Sequence, residues 1–447
     1  SFSCGAMVSA REFVLRATDL LQDHYYSVFD AGWPELGGGA AVAWYYSTVV
    51  VVAAAAVYVT FVLAAFGLGR GCSRSWCCCR SGKGGTQPTE DYVDLGPEVT
   101  KPAGNRWRWA WALRAAVATV MAAGMWAGLV AALVLVQGNW WNSACSLEAL
   151  SDSMVATGSR RYEASLGAAW RFTALAYPLH LRTAGVDDML WWAAAWRRAA
   201  VVTGDSSYLA RSRAYFAQAV GFWDDACGGG VWWNRAKTYK NAISNELFLL
   251  VAMQLHQATG EQEFLDWGAR SWRWFNQSGL INSQGLVNDG LVGCQNNGQE
   301  TWTYNQGVLL GGLALLYQHS QDQGMLARAC EVADAAIERL SYRGVLQEPC
   351  EPGCNTDQQQ FKGIFMRYLA RLTLVLPSSH AAQQTRYTRF ITTNTEAIQT
   401  QDPDGRRLIP LEWGKPGAAS GITHTSGLEC WNARLLVESA AGASHFV

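Results

Sequence analysis

One piece of punctuation recurs along the chain. Thr157-Gly158-Ser159, Thr203-Gly204-Asp205 and Thr259-Gly260-Glu261 each follow an apolar, Ala/Leu-rich run. Each also precedes a new one, opened by Tyr162, by Tyr208-Leu209 and by Phe264-Leu265. Glycine ends one helix, and the Ser, Asp or Glu after it opens the next. The marks stand 46 and then 56 residues apart, which is one helical hairpin per repeat. Further helical runs fall at 307–317, 325–340, 363–374 and 381–400, and β-branched alternation is scarce. The spacing predicts an all-α array of antiparallel hairpins, open as a solenoid or closed as a toroid.

The N-terminal third has another character. Residues 10–29 place Phe13, Val14, Ala17, Leu20, Leu21 and Tyr25 at helical spacing, and Gly32-Trp33-Pro34 ends that run. Residues 40–68 and 115–136 carry no charge at all. Each run passes the length of ~20 apolar residues that a membrane-spanning helix needs. The segment between them holds Arg70, Arg74, Arg80, Lys83, Lys101, Arg106, Arg108 and Arg114. The positive-inside rule puts it in the cytoplasm and both outer flanks outside. The expected partners are therefore a lipid bilayer, through two spans, and membrane proteins. Cys77-Cys78-Cys79 is a candidate for S-palmitoylation, with unmodified thiols the competing reading.

Chemistry concentrates after residue 139. Asp187-Asp188 stands directly before Met189-Leu190-Trp191-Trp192. Paired carboxylates can supply an acid and a nucleophile or base for glycoside hydrolysis. The plainer reading is a pair of acids in a first helical turn followed by core tryptophans. Four connecting loops also set aromatics beside amides and acids: 227–234, 239–246, 287–290 and 301–306. Sugars need that mixture, a flat apolar face with donors and acceptors beside it. Helix caps and core tryptophans explain some of these loops singly, but strain to explain all four. The 35 basic and 36 acidic residues leave no nucleic-acid footprint. Wide cysteine spacing without CxxC pairs argues against zinc. No metal or other cofactor is expected.

The motifs in order are Trp140-Trp141-Asn142-Ser143-Ala144, Asp187-Asp188 before Trp191-Trp192, and Gly228-Gly229-Gly230-Val231-Trp232-Trp233. They continue through Lys240-Asn241-Ala242-Ile243-Ser244-Asn245-Glu246, Val287-Asn288-Asp289-Gly290, Thr301-Trp302-Thr303-Tyr304-Asn305-Gln306-Gly307 and Phe361-Lys362-Gly363-Ile364-Phe365. In this order they resemble glycoside hydrolase family 76, the α-1,6-mannanases and their fungal cell-wall relatives. The resemblance implies an (α/α)6 barrel of helical hairpins with its cleft at one end. It implies retaining hydrolysis or transglycosylation of α-1,6-linked mannose, with Asp187 as nucleophile and Asp188 as general acid/base. Trp191, Trp192, Trp232 and Trp233 are the candidate sugar platforms or pocket walls. Asn241, Asn245, Asp289, Trp302, Tyr304 and Asn305 are the other candidate cleft residues. The competing reading is a catalytically silent glycan-binding or structural subunit of a membrane assembly.

The departure from the family lies near the N-terminus, where a spanning run stands in place of the first barrel helix. Residues 1–35 are therefore expected to supply that helix, the rival reading being an N-terminal anchor followed by a barrel lacking one helix. Residues 36–138 are expected to form an inserted transmembrane hairpin, and residues 139–447 the barrel domain. This places the barrel outside the cytoplasm, at the cell surface or in a secretory lumen, where disulfides can form. Cys350 with Cys354 and Cys227 with Cys294 are candidate pairs, with connectivity left open. Asn276-Gln277-Ser278 is a glycosylation sequon.

Overall fold

The computed structural model describes residues 9–22 and 140–442. The chain divides into two compact units, Ser1–Pro34 with Val136–Val447, and Glu35–Leu135. Every described residue belongs to the first. The two expected spans lie outside the described residues, as do Cys77, Cys78 and Cys79. No helix among the described residues is long and apolar enough to cross a membrane.

Twelve α-helices are described. They are α1 (Ala10–Leu21), α2 (Trp140–Thr157), α3 (Glu163–Thr183), α4 (Val186–Thr203), α5 (Ser206–Val220) and α6 (Ala242–Thr259). The others are α7 (Gln262–Gln277), α8 (Thr303–Ser320), α9 (Gln323–Arg339), α10 (Phe361–Val375), α11 (Ala381–Gln401) and α12 (Gly421–Gly442). The Thr-Gly marks sit where the hairpin reading puts them. Gly158, Gly204 and Gly260 take φ of 68°, 76° and 72°, the left-handed conformation that stops a helix. Asp205 then caps α5 through the Ser207 N–H at 2.8 Å.

The even-numbered helices pack each on the next, and α12 returns to α2, so they close a ring of six. The odd-numbered helices lie outside it. α3 and α5 pack on α4, α7 on α6, α9 on α8, and α11 on α10 and α12. α1 packs against α12 and α2. The result is an (α/α)6 barrel. Composition follows position: a helix surrounded on every side must be apolar on every side. Inner helix α6 is buried at every residue from Ala242 to Leu255, whereas outer helix α7 buries a stripe of Phe264, Gly268, Ser271, Trp272, Trp274 and Phe275. The ring is tight. A Cβ on Gly307 of α8 would come within 2.6 Å of the Phe365 Cα on α10.

α1 is seated by specific contacts. Phe13 stacks on Trp431 of α12 with ring centroids 4.2 Å apart, and Ala17 O lies 2.7 Å from His424 Nε2. The Tyr162 hydroxyl donates to Asp19 at 2.7 Å. Deeper in the ring, Arg367 of α10 bonds Glu148 of α2 at 2.7 Å and also binds Glu429 of α12. Asp152 takes Arg198 at 2.6 Å and Arg371 at 3.3 Å.

Because the chain alternates outer and inner helices, all six inner helices begin at the same end of the barrel. Their positive N-terminal dipole ends converge there. The outer-to-inner connections build a mouth around them. These carry a three-stranded sheet of β1 (Lys240–Asn241), β2 (Gly290–Val292) and β3 (Gln295–Asn296), and a hairpin of β4 (Ser341–Tyr342) and β5 (Val345–Leu346). Two disulfides, Cys227–Cys294 and Cys350–Cys354, staple the same connections. Cys145, Cys330 and Cys430 are buried thiols. Asn276 of the sequon is exposed near the end of α7.

Candidate active site

Asp187 and Asp188 form the first turn of α4, whose N-cap Gly185 is extended and offers no side chain to the free N–H groups. Two acids at a helix N-terminus match the dipole, and at this end they also stand in the mouth. Both are half-buried. The two differ in what they touch. Asp187 accepts the Asp188 backbone N–H at 3.0 Å, and the Trp233 indole N–H lies 3.1 Å from each of its oxygens. The same loop is fastened to the helix start, because Val186 N–H donates to Trp233 O at 2.9 Å.

That difference separates their acidities. Burial pushes Asp187 up to about 6, held from rising further by the Asp188 N–H, Trp233 and Asn241. Burial pushes Asp188 well above the carboxylate range, and the charges of Asp187 and Asp357 push it the same way. The pair is therefore unequal: Asp187, with donors on its oxygens, ionises more readily, and Asp188 holds its proton more tightly.

Around the pair stands an aromatic wall. Trp141, at the start of α2, stacks on Trp191 with centroids 5.6 Å apart and lies 6.1 Å from Phe361. Tyr304 lies flat on Phe361 at 3.8 Å, and Trp302 meets Phe361 edge-on at 5.7 Å. The Trp141 indole donates to Asp357 Oδ1 at 2.6 Å. Trp233 is 41% exposed and is the open indole beside Asp187.

The other expected site residues divide into those at the mouth and those behind it. Trp191 and Trp192 are 3% and 2% exposed, so of the two expected roles, open platform or pocket wall, the burial fits only the wall. An inner helix is enclosed past its first turn, so Trp191 backs Trp141, and Trp192 packs between Trp140 and Trp196. Asn245 is not a cleft residue. Its amide is spent on Val231, accepting that N–H at 2.8 Å and donating to that carbonyl at 3.1 Å. Trp232 is half-buried, and its indole donates to Asp224 at 2.7 Å. Asp289 is half-buried and accepts the Tyr239 hydroxyl at 2.7 Å, and Asn297 donates to Tyr239 at 2.9 Å. Asn241 is the N-cap residue of α6 and helps hold Asp187, while Asn305 is fully buried and acts on Asp289.

Asp224 is the anchor of the glycine-rich loop. It takes Lys237 at 2.9 Å and the buried Lys240 at 3.1 Å, and Lys240 also binds Ala226 O at 2.6 Å and Gly230 O at 3.0 Å. Burial acts upward on Asp224, but Trp232 and the two lysines outweigh it and hold the carboxyl well below its usual range. Its neighbour Asp225 faces solvent.

Sequence reasoning missed Trp141, Phe361, Tyr239, Glu246 and Asp357 as site residues. Trp141, Phe361 and Glu246 lay inside quoted motifs, so position in a motif was the available signal. Asp357 carried none. Glu246 is fully buried, and neither of its carboxyl oxygens has a hydrogen-bond partner. Burial and the charge of Asp289 push its pKa well above the carboxylate range. Among the described residues, no group of three or more His, Cys, Asp or Glu could hold a metal ion.

Residues 118–444 match the family model of glycosyl hydrolase family 76. The chain belongs to this family. Among curated relatives it is similar to mannan endo-1,6-α-mannosidase DCW1 of Eremothecium gossypii, 33% identical over 218 residues, covering 44% of this chain and 48% of that protein. It is similar to DCW1 of Saccharomyces cerevisiae, 32% identical over 217 residues, with 44% and 48% covered. The chain thus spans about half the length of the curated relatives it matches. Its fold is that of an inactive double Asp-to-Asn variant of an α-1,6-mannanase from Salegentibacter sp. HEL1_6, solved with α-1,6-mannotriose. The TM-score is 0.60 at 24% identity, covering 67% of this chain and 89% of that one.

Proposed function

We propose that the chain is a retaining glycoside hydrolase or transglycosidase acting on α-1,6-linked mannose glycans. The observation that carries this reading is the unequal pair at the mouth: Asp187 surrounded by donors, Asp188 facing two negative charges. The similarity to the mannan endo-1,6-α-mannosidases DCW1 supports the substrate class. In the first step the Asp187 carboxylate attacks the anomeric carbon as the glycosidic C–O bond breaks. Asp188 gives its proton to the departing oxygen, leaving a glycosyl ester on Asp187. In the second step Asp188, now a carboxylate, takes a proton from water or from an acceptor sugar hydroxyl. That oxygen attacks the anomeric carbon and displaces Asp187. Trp233, Trp141 and Tyr304 would stand beside the sugar rings.

The test is product analysis on α-1,6-mannan or its oligosaccharides. The expected first-formed product keeps the α configuration, and longer chains appear when acceptor is supplied. Asp187→Asn or Asp188→Asn should abolish turnover while leaving the protein folded. Activity equal to wild type in both variants would sink the assignment.

The same reading includes a membrane anchor. Residues 36–138, with spans at about 40–68 and 115–136, would be a hairpin inserted between α1 and α2, leaving the barrel outside the cytoplasm. Supporting it are two uncharged runs of spanning length and the packing of α1 onto the barrel ring. In sealed vesicles, residues 1–35 and the barrel should be protected or cleaved together. Cleavage of residues 1–35 alone would end the insertion reading.

A further inference from the structure

Asp357 belongs to none of the matched motifs, yet its carboxylate accepts the indole N–H of Trp141 in the aromatic wall beside the acid pair. Its loop is built to stay put. The Cys350–Cys354 disulfide closes one side of it. The buried Lys362 grips Glu351 at 2.6 Å and Leu411 O at 2.7 Å. Buried Glu348 accepts the Thr303 hydroxyl from the first turn of α8. Asn355 and Gln358 exchange bonds at 2.9 and 3.0 Å. Asp357 stands at the N-cap of the 3-10 turn Gln358–Gln360 but makes no cap bond. Its carboxylate turns instead to Trp141, 216 residues away in sequence, at 2.6 Å.

Resting on the glycosidase reading above, we propose that Asp357 is a positioning residue of this site. It holds Trp141 as a fixed wall of the sugar cleft and sets a negative charge opposite Asp188. The charges acting on Asp188 are both negative, Asp187 from its own helix and Asp357 from the loop before α10. Burial, and then the charges of Asp289, Asp187, Glu246 and Asp357, push the Tyr304 hydroxyl well above its ordinary range. A charge that disfavours ionised Asp188 keeps the leaving-group proton available at higher pH. One side chain thus couples sugar placement to acid strength.

Two variants separate the parts. Asp357→Asn keeps an oxygen for the Trp141 indole and removes the charge. The ionised form of Asp188 is then less opposed, so the alkaline limb of kcat/KM should move down by about one pH unit, with KM unchanged. Asp357→Ala removes both functions and should also raise KM about three- to tenfold. A second readout needs no turnover. Carboxyl carbon NMR of aspartate-labelled protein should show Asp188 titrating lower in Asp357→Asn than in wild type. An unmoved titration, or an Asp357→Ala KM equal to wild type, overturns the inference. A wild type that cleaves no mannoside while the titration still moves would sink the glycosidase reading and leave Asp357 in its place beside Asp188.

Discussion

A Cβ added to Gly185 would lie 2.6 Å from Asp187 Oδ1 and 3.1 Å from Trp233 Nε1. The backbone there is ordinary, with φ of −61°, so the glycine is required by close approach and not by conformation. Gly185→Ala meets no backbone strain and collides only with side-chain ends that can turn away, so it should still fold. It should nevertheless lose at least about tenfold in kcat/KM, because the Asp187–Trp233 contact must open. Thermal unfolding and kinetics together check the split. Trp233→Phe removes the donor and keeps the ring. The ionised form of Asp187 loses a stabilising bond, so its pKa should rise from about 6 and the acid limb of the rate profile should move to higher pH. The loss should be larger at pH 6 than at pH 8, on the order of tenfold for a hydrogen bond to a charged group.

Among the elements, the connection between α5 and α6 does the most for the site. It carries Trp233 on a backbone with little regular structure, so its shape comes from side chains. Lys240 fills its centre, with the ammonium 4.7 Å from the Trp232 ring centre and its charge balanced by Asp224. Removing that carboxylate leaves a buried ammonium with carbonyl acceptors alone. Asp224→Ala should cost about 1–3 kcal/mol in urea unfolding, the loss of a charged hydrogen-bond partner from a buried ammonium that keeps its carbonyls. The adjacent acids Asp224 and Asp225 have different fates: Asp225 faces solvent, and Asp224 anchors the loop. The anchoring depends on Lys237 and Lys240 returning to it across 13 and 16 residues of irregular chain, which no helical or strand period encodes.

For the whole molecule, the balance of buried acids sets how stability follows pH. Glu348 is 3% exposed, and burial carries it from 4.5 to about 8, with Thr303 and Lys362 opposing and Glu351 assisting. Asp187 and Asp188 shift in the same direction. The folded state then binds more protons than the unfolded state between about pH 4.5 and 8, so stability falls as pH rises through that window. The unfolding midpoint should be higher at pH 5 than at pH 8, and Glu348→Gln should flatten the slope. A midpoint that rises from pH 5 to 8 would contradict the assignment.

The sequence by itself determined the helices, their pairing into hairpins and the position of the two acids. Each of these is written locally. A left-handed glycine, a cap residue and an apolar run act over a few neighbours, and Asp187 and Asp188 are adjacent whatever the chain does elsewhere. Closure of the ring, and with it the sorting of tryptophans, was decided only in three dimensions. Trp141 and Trp233 remain at the mouth, and Trp191 and Trp192 go inside, because each helix is rotated to fit both ring neighbours. That rotation is a property of six helices packed at once, and no single segment contains it. The pairing of Trp141 with Asp357 belongs to the same class, since nothing near either residue in sequence specifies the other.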